Sequence, residues 1–113
     1  MIAKNVTLNA EQAAKFWPLF EAFQAEQSAV IDEQVAGIKQ FVERYETLTD
    51  ADAIALVNTQ LTRDDKMHAL RVEWLEKFRK VVPDGTAARV IQIDRRLGQI
   101  TQVLISDSIP LVR

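Results

Sequence analysis

One apolar stripe at helical spacing extends from Asn9 to about Thr47, and it restricts the possible folds more than any other feature of this chain. The stripe contains Ala13, Phe16, Phe20, Phe23, Val30, Ile31, Ile38, Phe41, Val42 and Tyr45. At 100° per residue these positions share one face of an α-helix. Asn9 is a favoured N-cap residue, and Gln12 follows at capping-box spacing. A helix of about 55 Å is predicted, at 1.5 Å per residue.

Two further helices are predicted downstream. Thr49 and Asp52 form a second capping signature, from which a helix extends to about Val82. Pro83-Asp84-Gly85 is the next break, and a third helix covers about Thr86 to Ser106, with Pro110 ending the regular structure. The 113 residues include only 3 Gly and 3 Pro, which favours long helices. The expected fold is therefore all-α, a single domain over residues 1–113 built as an elongated hairpin of three to four helices.

Pro18 lies well inside the first predicted helix, among the aromatic residues Phe16, Trp17 and Phe20. An interior proline removes one backbone hydrogen bond and costs about 3 kcal/mol or more. A kink in the first helix is expected, or a fresh helix start near Pro18. The aromatic side chains either cap one end of the core or wrap around a partner.

Two glutamines interrupt the apolar stripe of the first helix. Gln27 and Gln34 are seven residues apart, so they occupy one heptad position. A polar residue at such a position commonly fixes helix register or oligomeric state. Simple exposure, where the stripe leaves the core, is the alternative interpretation.

The second helix is apolar on two nearly opposite sides. One stripe contains Ile54, Val57, Leu61, Val72 and Leu75, and the other contains Leu56, Met67, Leu70, Trp74 and Val81, with Phe78 between them. The third helix repeats the pattern more weakly. A helix with two apolar sides requires neighbours on both. An intertwined or cradle-like homodimer, or an exposed surface for partners, is therefore expected, with a closed monomeric bundle as the alternative.

Composition excludes several classes of protein. The net charge is −2, with −5 over residues 1–60 and +3 over residues 61–113. Basic residues are interleaved with acidic ones, which disfavours nucleic-acid binding. No segment approaches the roughly 18 apolar residues of a membrane span. The absence of cysteine fits the cytoplasm and the periplasm equally. The start of the chain lacks a secretory signal, so an exported protein would be in its mature form.

The chain contains no motif of a nucleophile with its base, no phosphate-binding glycine loop and no metalloprotease signature. We therefore expect no enzymatic activity and no cofactor. Asp64 and His68, one helical turn apart, are weak candidates for a Zn²⁺ site. The pattern favours a partly buried hydrogen bond between them over a metal site.

Leu8-Asn9-Ala10-Glu11-Gln12 resembles the LTxxQ box of the Spy/CpxP-like family of bacterial periplasmic proteins, with Asn9 in place of the usual Thr. Val82-Pro83-Asp84-Gly85-Thr86 stands where a second box is expected, and the order of helix lengths is also similar. The resemblance implies a thin, curved, helical homodimer in the periplasm. Members act as ATP-independent chaperones, as regulators of envelope-stress sensors, or as metal-binding resistance proteins.

The functional hypothesis that follows is a periplasmic, ATP-independent, chaperone-like or stress-response protein that binds unfolded or partner proteins through apolar helix faces. The alternative is a metal- or stress-sensing regulatory protein that modulates a membrane-bound partner. The predicted client or dimer surface consists of Trp17, Phe20, Met67, Leu70, Trp74 and Phe78. Basic residues including Arg63, Lys66 and Arg71 are expected to flank the second apolar stripe of the second helix and to speed encounters with partners.

Overall fold

Three long helices lie side by side in the computed structural model, which describes residues 2–107 and 109. The elements are α1 (Ile2–Asn5), α2 (Ala10–Glu43), a 3₁₀ turn (Tyr45–Thr47), α3 (Asp50–Arg79) and α4 (Asp84–Asp107). The described part of the chain contains no strand, so the all-α prediction is confirmed. The molecule measures 56 × 22 × 18 Å, and α2 alone accounts for most of its length.

Both predicted capping boxes are present. The Asn9 side chain accepts the Gln12 backbone N–H at 2.8 Å, and the Gln12 side chain accepts the Asn9 N–H at 3.1 Å. Thr49 and Asp52 exchange the same two hydrogen bonds, each 3.2 Å long. Each box provides acceptors for two backbone N–H groups at the start of a helix. The starts of α2 and α3 therefore follow from local sequence.

The turn between α3 and α4 differs from the prediction. Helix α3 ends at Arg79 rather than near Val82, and α4 begins at Asp84 rather than near Thr86. Pro83 stands just before α4, where a missing N–H is harmless, and its carbonyl accepts the Ala87 N–H at 3.0 Å. Proline thus starts the next helix instead of creating a longer break. Pro110, predicted to end the regular structure, lies outside the described residues.

Helix α2 is continuous across Pro18. Pro18 is exposed, on the side of α2 away from the buried Phe16 and Phe20. The backbone carbonyl that Pro18 leaves without its helical partner belongs to Ala14, which is also exposed and accessible to water. The predicted fresh helix start near Pro18 is wrong.

An aromatic core occupies the end of the molecule where α2 begins and α3 ends. The Phe78 ring centroid lies 5.1 Å from that of Phe16 and 5.6 Å from that of Phe23, which in turn lies 5.8 Å from Trp74. Smaller buried residues complete the cluster, from α1 and the segment after it, from the turn before α4 and from the start of α4: Ile2, Val6, Val82, Ala87 and Val90. Of the two interpretations of the aromatic segment, the one that places it at an end of the core is confirmed.

Helix α4 runs parallel to α2 and antiparallel to α3. The Gln27 side chain donates to Asp94 at 2.8 Å, and Gln34 and Gln102 exchange amide hydrogen bonds of 2.8 and 3.1 Å. Gln27 and Gln34 are both buried. Simple exposure of Gln27 and Gln34 is therefore wrong, and within this chain they fix the register of α4 against α2.

Candidate functional site

The six residues predicted as a client or dimer surface lie at the aromatic end of the molecule or beside it. Phe20, Met67, Trp74 and Phe78 are buried within the single chain, and Trp17 and Leu70 are half-buried against the core. The Trp74 indole N–H donates to Glu26 at 2.7 Å, and Lys77 lies 4.0 Å above the same ring. These side chains therefore pack within their own chain.

The two metal candidates do not form the predicted pair. His68 is exposed, and Asp64, also exposed, accepts a hydrogen bond of 2.8 Å from Arg63. A partly buried hydrogen bond between Asp64 and His68 is therefore wrong. In residues 2–107 and 109, no group of three or more His, Asp or Glu side chains is placed to hold a metal ion.

The exposed apolar surface is formed by the other stripe of α3 and by the second half of α4. Large apolar residues that are 40% or more exposed there are Ile54, Val57, Leu61, Val72, Ile100, Val103 and Leu104. The two-sided pattern of α3 indicated that one stripe would lack neighbours. It did not indicate which stripe, because that depends on the aromatic residues that α2 presents to α3.

An open groove separates α3 from α4, beginning beside the aromatic core and extending away from it. Its volume is about 1000 Å³. Met67, Val72 and Leu75 line it from α3, and Ile91 and Val103 line it from α4. A groove of this size, with mixed apolar and polar lining, can accommodate several residues of an extended or helical polypeptide.

Partly buried hydrogen bonds connect α4 to α2 and α3 along the groove. Asp94 accepts from both Gln27 and Arg71, the latter at 3.0 Å, and the Arg71 and Asp94 side chains are both mostly buried. Gly98 permits this arrangement: a Cβ there would lie 2.7 Å from Nη2 of Arg71. Polar contacts therefore join α4 to both α2 and α3 at this level.

Arginine dominates the charged lining of the groove. Arg63, Arg71 and Arg95 line it, with Asp64 as the acidic side chain among the lining residues. Arg71 is neutralised by Asp94, whereas Arg63 is paired with the exposed Asp64. Arg63 was expected to flank the second apolar stripe of α3. It lies within that stripe, seven residues after Leu56 and four before Met67, a spacing that could have identified it as buried.

The chain matches no family model, no curated protein and no solved structure. Among the helices of the described residues, none has the length and apolar character needed to cross a membrane.

Proposed function

We propose that the protein is a non-enzymatic, chaperone-like binding protein that holds unfolded or partner polypeptides without ATP. The observation that carries this proposal is the open groove between α3 and α4, with its apolar walls and exposed valines. An ATP-independent binder requires adaptable contacts of modest strength, and a shallow mixed groove provides them better than a closed pocket.

The resemblance of the segment from Leu8 to Gln12 to the LTxxQ box supports the same proposal. The groove and the box together fit a Spy/CpxP-like protein of the periplasm that acts in a stress response. The capping chemistry that the box implies is present at Asn9 and Gln12. Location and stress response are part of the proposal and rest on this resemblance.

Light scattering from an aggregation-prone test protein, without nucleotide, tests the binding function. The intact chain at equimolar concentration should suppress the rise in scattering. The double variant Val72→Ser, Val103→Ser removes two exposed apolar groups from the groove, and it should bind the client about tenfold more weakly, since 1.4 kcal/mol corresponds to one decade.

The matched control is Val35→Ser, Val42→Ser, which changes two valines of similar exposure on α2, outside the groove. This control should suppress aggregation as well as the natural chain does. Equal suppression by both double variants would contradict the groove as the binding surface. No suppression by the natural chain would contradict the function itself.

A homodimer is the second part of the proposal. Ile54, Val57 and Leu61 form an exposed apolar patch on α3, outside the lining of the groove. Because these residues recur at i, i+3 and i+7, two copies of α3 can pair them across a two-fold axis. The patch is then the dimer contact, and the groove stays accessible to clients.

Sedimentation velocity distinguishes this dimer contact from other apolar surfaces. Leu61→Asp should convert the dimer to a monomer, while Leu104→Asp, at a similarly exposed leucine of α4, should leave it intact. A natural chain that sediments as a monomer would overturn the dimer and leave the binding function standing.

A bend of helix α2 at Pro18 is the third part of the proposal. Pro18→Ala restores a helical hydrogen bond on the exposed side of α2, so the free energy of unfolding should rise by about 1–3 kcal/mol. Small-angle scattering should also show a straighter particle. An unchanged scattering profile would contradict the bend.

A further inference from the structure

Arg63 is a buried cation whose hydrogen bonding is incomplete. The residue is 9% exposed, and its Nε–H has no hydrogen-bond partner. A guanidinium carries five N–H donors. One of them, on Nη1, donates to Asp64 at 2.8 Å.

The pairing with Asp64 compensates the buried charge only in part. The Asp64 side chain is 63% exposed, whereas that of Arg63 is 10% exposed. Water screens an exposed carboxylate, so its attraction for a buried cation is weak. A buried charge without full pairing is destabilising, and a well-packed apolar side chain at this position would stabilise the fold as much or more. Stability alone therefore does not account for an arginine here.

The other residues that line the groove with Arg63 favour an anion of a particular kind. Arg95, exposed on the α4 side of the groove, has no ion-pair partner among the described residues, and it adds positive potential. Gln60 and Gln99 present amide groups that can bond a peptide backbone. The apolar walls at Val72 and Val103 match hydrocarbon side chains, which a small inorganic anion lacks.

We propose that the groove contains a carboxylate subsite at Arg63, which selects apolar polypeptide segments that carry an aspartate or glutamate side chain. This inference rests on the proposed function and names the class of segment that is bound. The incoming carboxylate pairs with the Arg63 guanidinium inside the apolar walls, where less water screens the pair. Arg95 contributes long-range attraction from the opposite wall.

Two synthetic peptides test the subsite. Both are acetylated and amidated, so neither carries a terminal carboxylate, and both have the same leucine, alanine and serine composition. One has a central aspartate and the other a central asparagine. With an uncharged fluorophore and anisotropy as the readout, the aspartate peptide should bind the natural chain about tenfold more tightly than the asparagine peptide.

Three variants identify the origin of this preference. Arg63→Met should abolish it, and Arg95→Gln should reduce it. Arg96→Gln removes a neighbouring exposed arginine that does not line the groove, and it should leave the preference unchanged. An equal loss in the Arg95 and Arg96 variants would show that net charge alone is responsible, and it would overturn the subsite.

Thermal unfolding separates binding from a structural role. The melting temperature of Arg63→Met should equal or exceed that of the natural chain, because the variant removes an incompletely paired buried charge. A lower melting temperature with an intact peptide preference would show that Arg63 is merely structural. Equal affinity of the natural chain for both peptides would overturn the subsite and leave the proposed function intact. Binding of neither peptide would overturn both.

Discussion

At the scale of single residues, Asp94 is a polar group that contacts two helices besides its own. Its carboxylate accepts hydrogen bonds from Gln27 on α2 and from Arg71 on α3. One side chain on α4 therefore links all three long helices. Because the Arg71 and Asp94 side chains are 15% and 13% exposed, each depends on the other for compensation of its charge.

Asp94→Ala should lower the free energy of unfolding by about 3 kcal/mol, because it leaves the charge of Arg71 buried and unpaired. Urea denaturation measures the effect. Asp65→Asn, at an exposed position of α3, serves as a control and should change stability by less than about 0.5 kcal/mol.

The double variant Arg71→Leu, Asp94→Leu removes both charges together. It should recover most of the stability lost in Asp94→Ala, since an apolar pair can replace a buried ion pair at little cost. A double variant that is as unstable as Asp94→Ala would show that the pair contributes more than mutual neutralisation.

At the scale of the elements, one glycine sets how closely α2 and α3 approach. A Cβ added at Gly37 would lie 2.8 Å from the methyl carbon of Thr59, which is closer than van der Waals contact allows. Gly85, in the first turn of α4, has nothing within 4 Å of the same added atom. The two positions therefore offer a matched pair of substitutions.

Gly37→Ala should destabilise the protein by about 1–2 kcal/mol, because the overpacking outweighs the gain in helix propensity. Gly85→Ala should stabilise it by up to about 1 kcal/mol through propensity alone. Thermal unfolding measures the stability of both variants. A Gly37→Ala variant more stable than the natural chain would mean that the α2–α3 contact is looser than described.

The turn from α3 to α4 carries a pH-dependent contact. Hydrogen bonds from Arg79, of 3.0 and 3.2 Å, and its positive charge hold the pKa of the Asp84 carboxyl below its ordinary value. The same interactions raise the pKa of Arg79. The unfolded chain therefore binds more protons than the folded one as the pH falls through the ordinary aspartate range, and stability falls with it.

Melting temperature measured between about pH 5 and pH 2 tests this contact. The contribution of Asp84 should be fully present above its unfolded pKa and lost as the pH falls through its lowered pKa in the folded state. Asp84→Asn should show a shallower acid slope than the natural chain. Parallel slopes would mean that the Arg79–Asp84 contact does not persist in solution.

The elements differ in how far sequence predicts them. Helix starts at Asn9 and Thr49 follow from a few adjacent residues, so the capping boxes were predictable. The stripe of α3 that faces the core was not predictable, because Leu61 and Leu70 are equally apolar. Which of the two stripes is buried depends on contact with α2. The groove was not predictable either. Its lining brings together residues of α3 and α4, and the placement of α4 involves contacts such as that between Gln34 and Gln102, which are far apart in sequence.

At the scale of the whole molecule, the two ends are built differently. The aromatic end is closed by α1, by Phe16 and its neighbours on α2, and by Phe78 on α3. At the other end, the second half of α4 is joined to α2 by hydrogen bonds between two side-chain amides, and it carries three exposed apolar residues. Buried apolar area, the main stabilising term in folding, is concentrated at one end.

Amide hydrogen exchange should therefore be slowest in residues 16–23 and 74–78 and faster in residues 100–106 of α4. Exchange followed by mass spectrometry gives the comparison on one sample. Uniform protection along the whole of α4 would contradict the uneven packing and would require that a partner cover its second half.

The placement of the chromophores follows from the same uneven construction. Trp17 and Trp74, the two tryptophans of the chain, both lie at the aromatic end, while the single tyrosine, Tyr45, packs on Phe41 at the other end with ring centroids 5.6 Å apart. Indole emission thus reports on one half of the rod and phenol absorbance on the other. Coincident urea transitions of the two signals would show that both halves unfold as one cooperative unit.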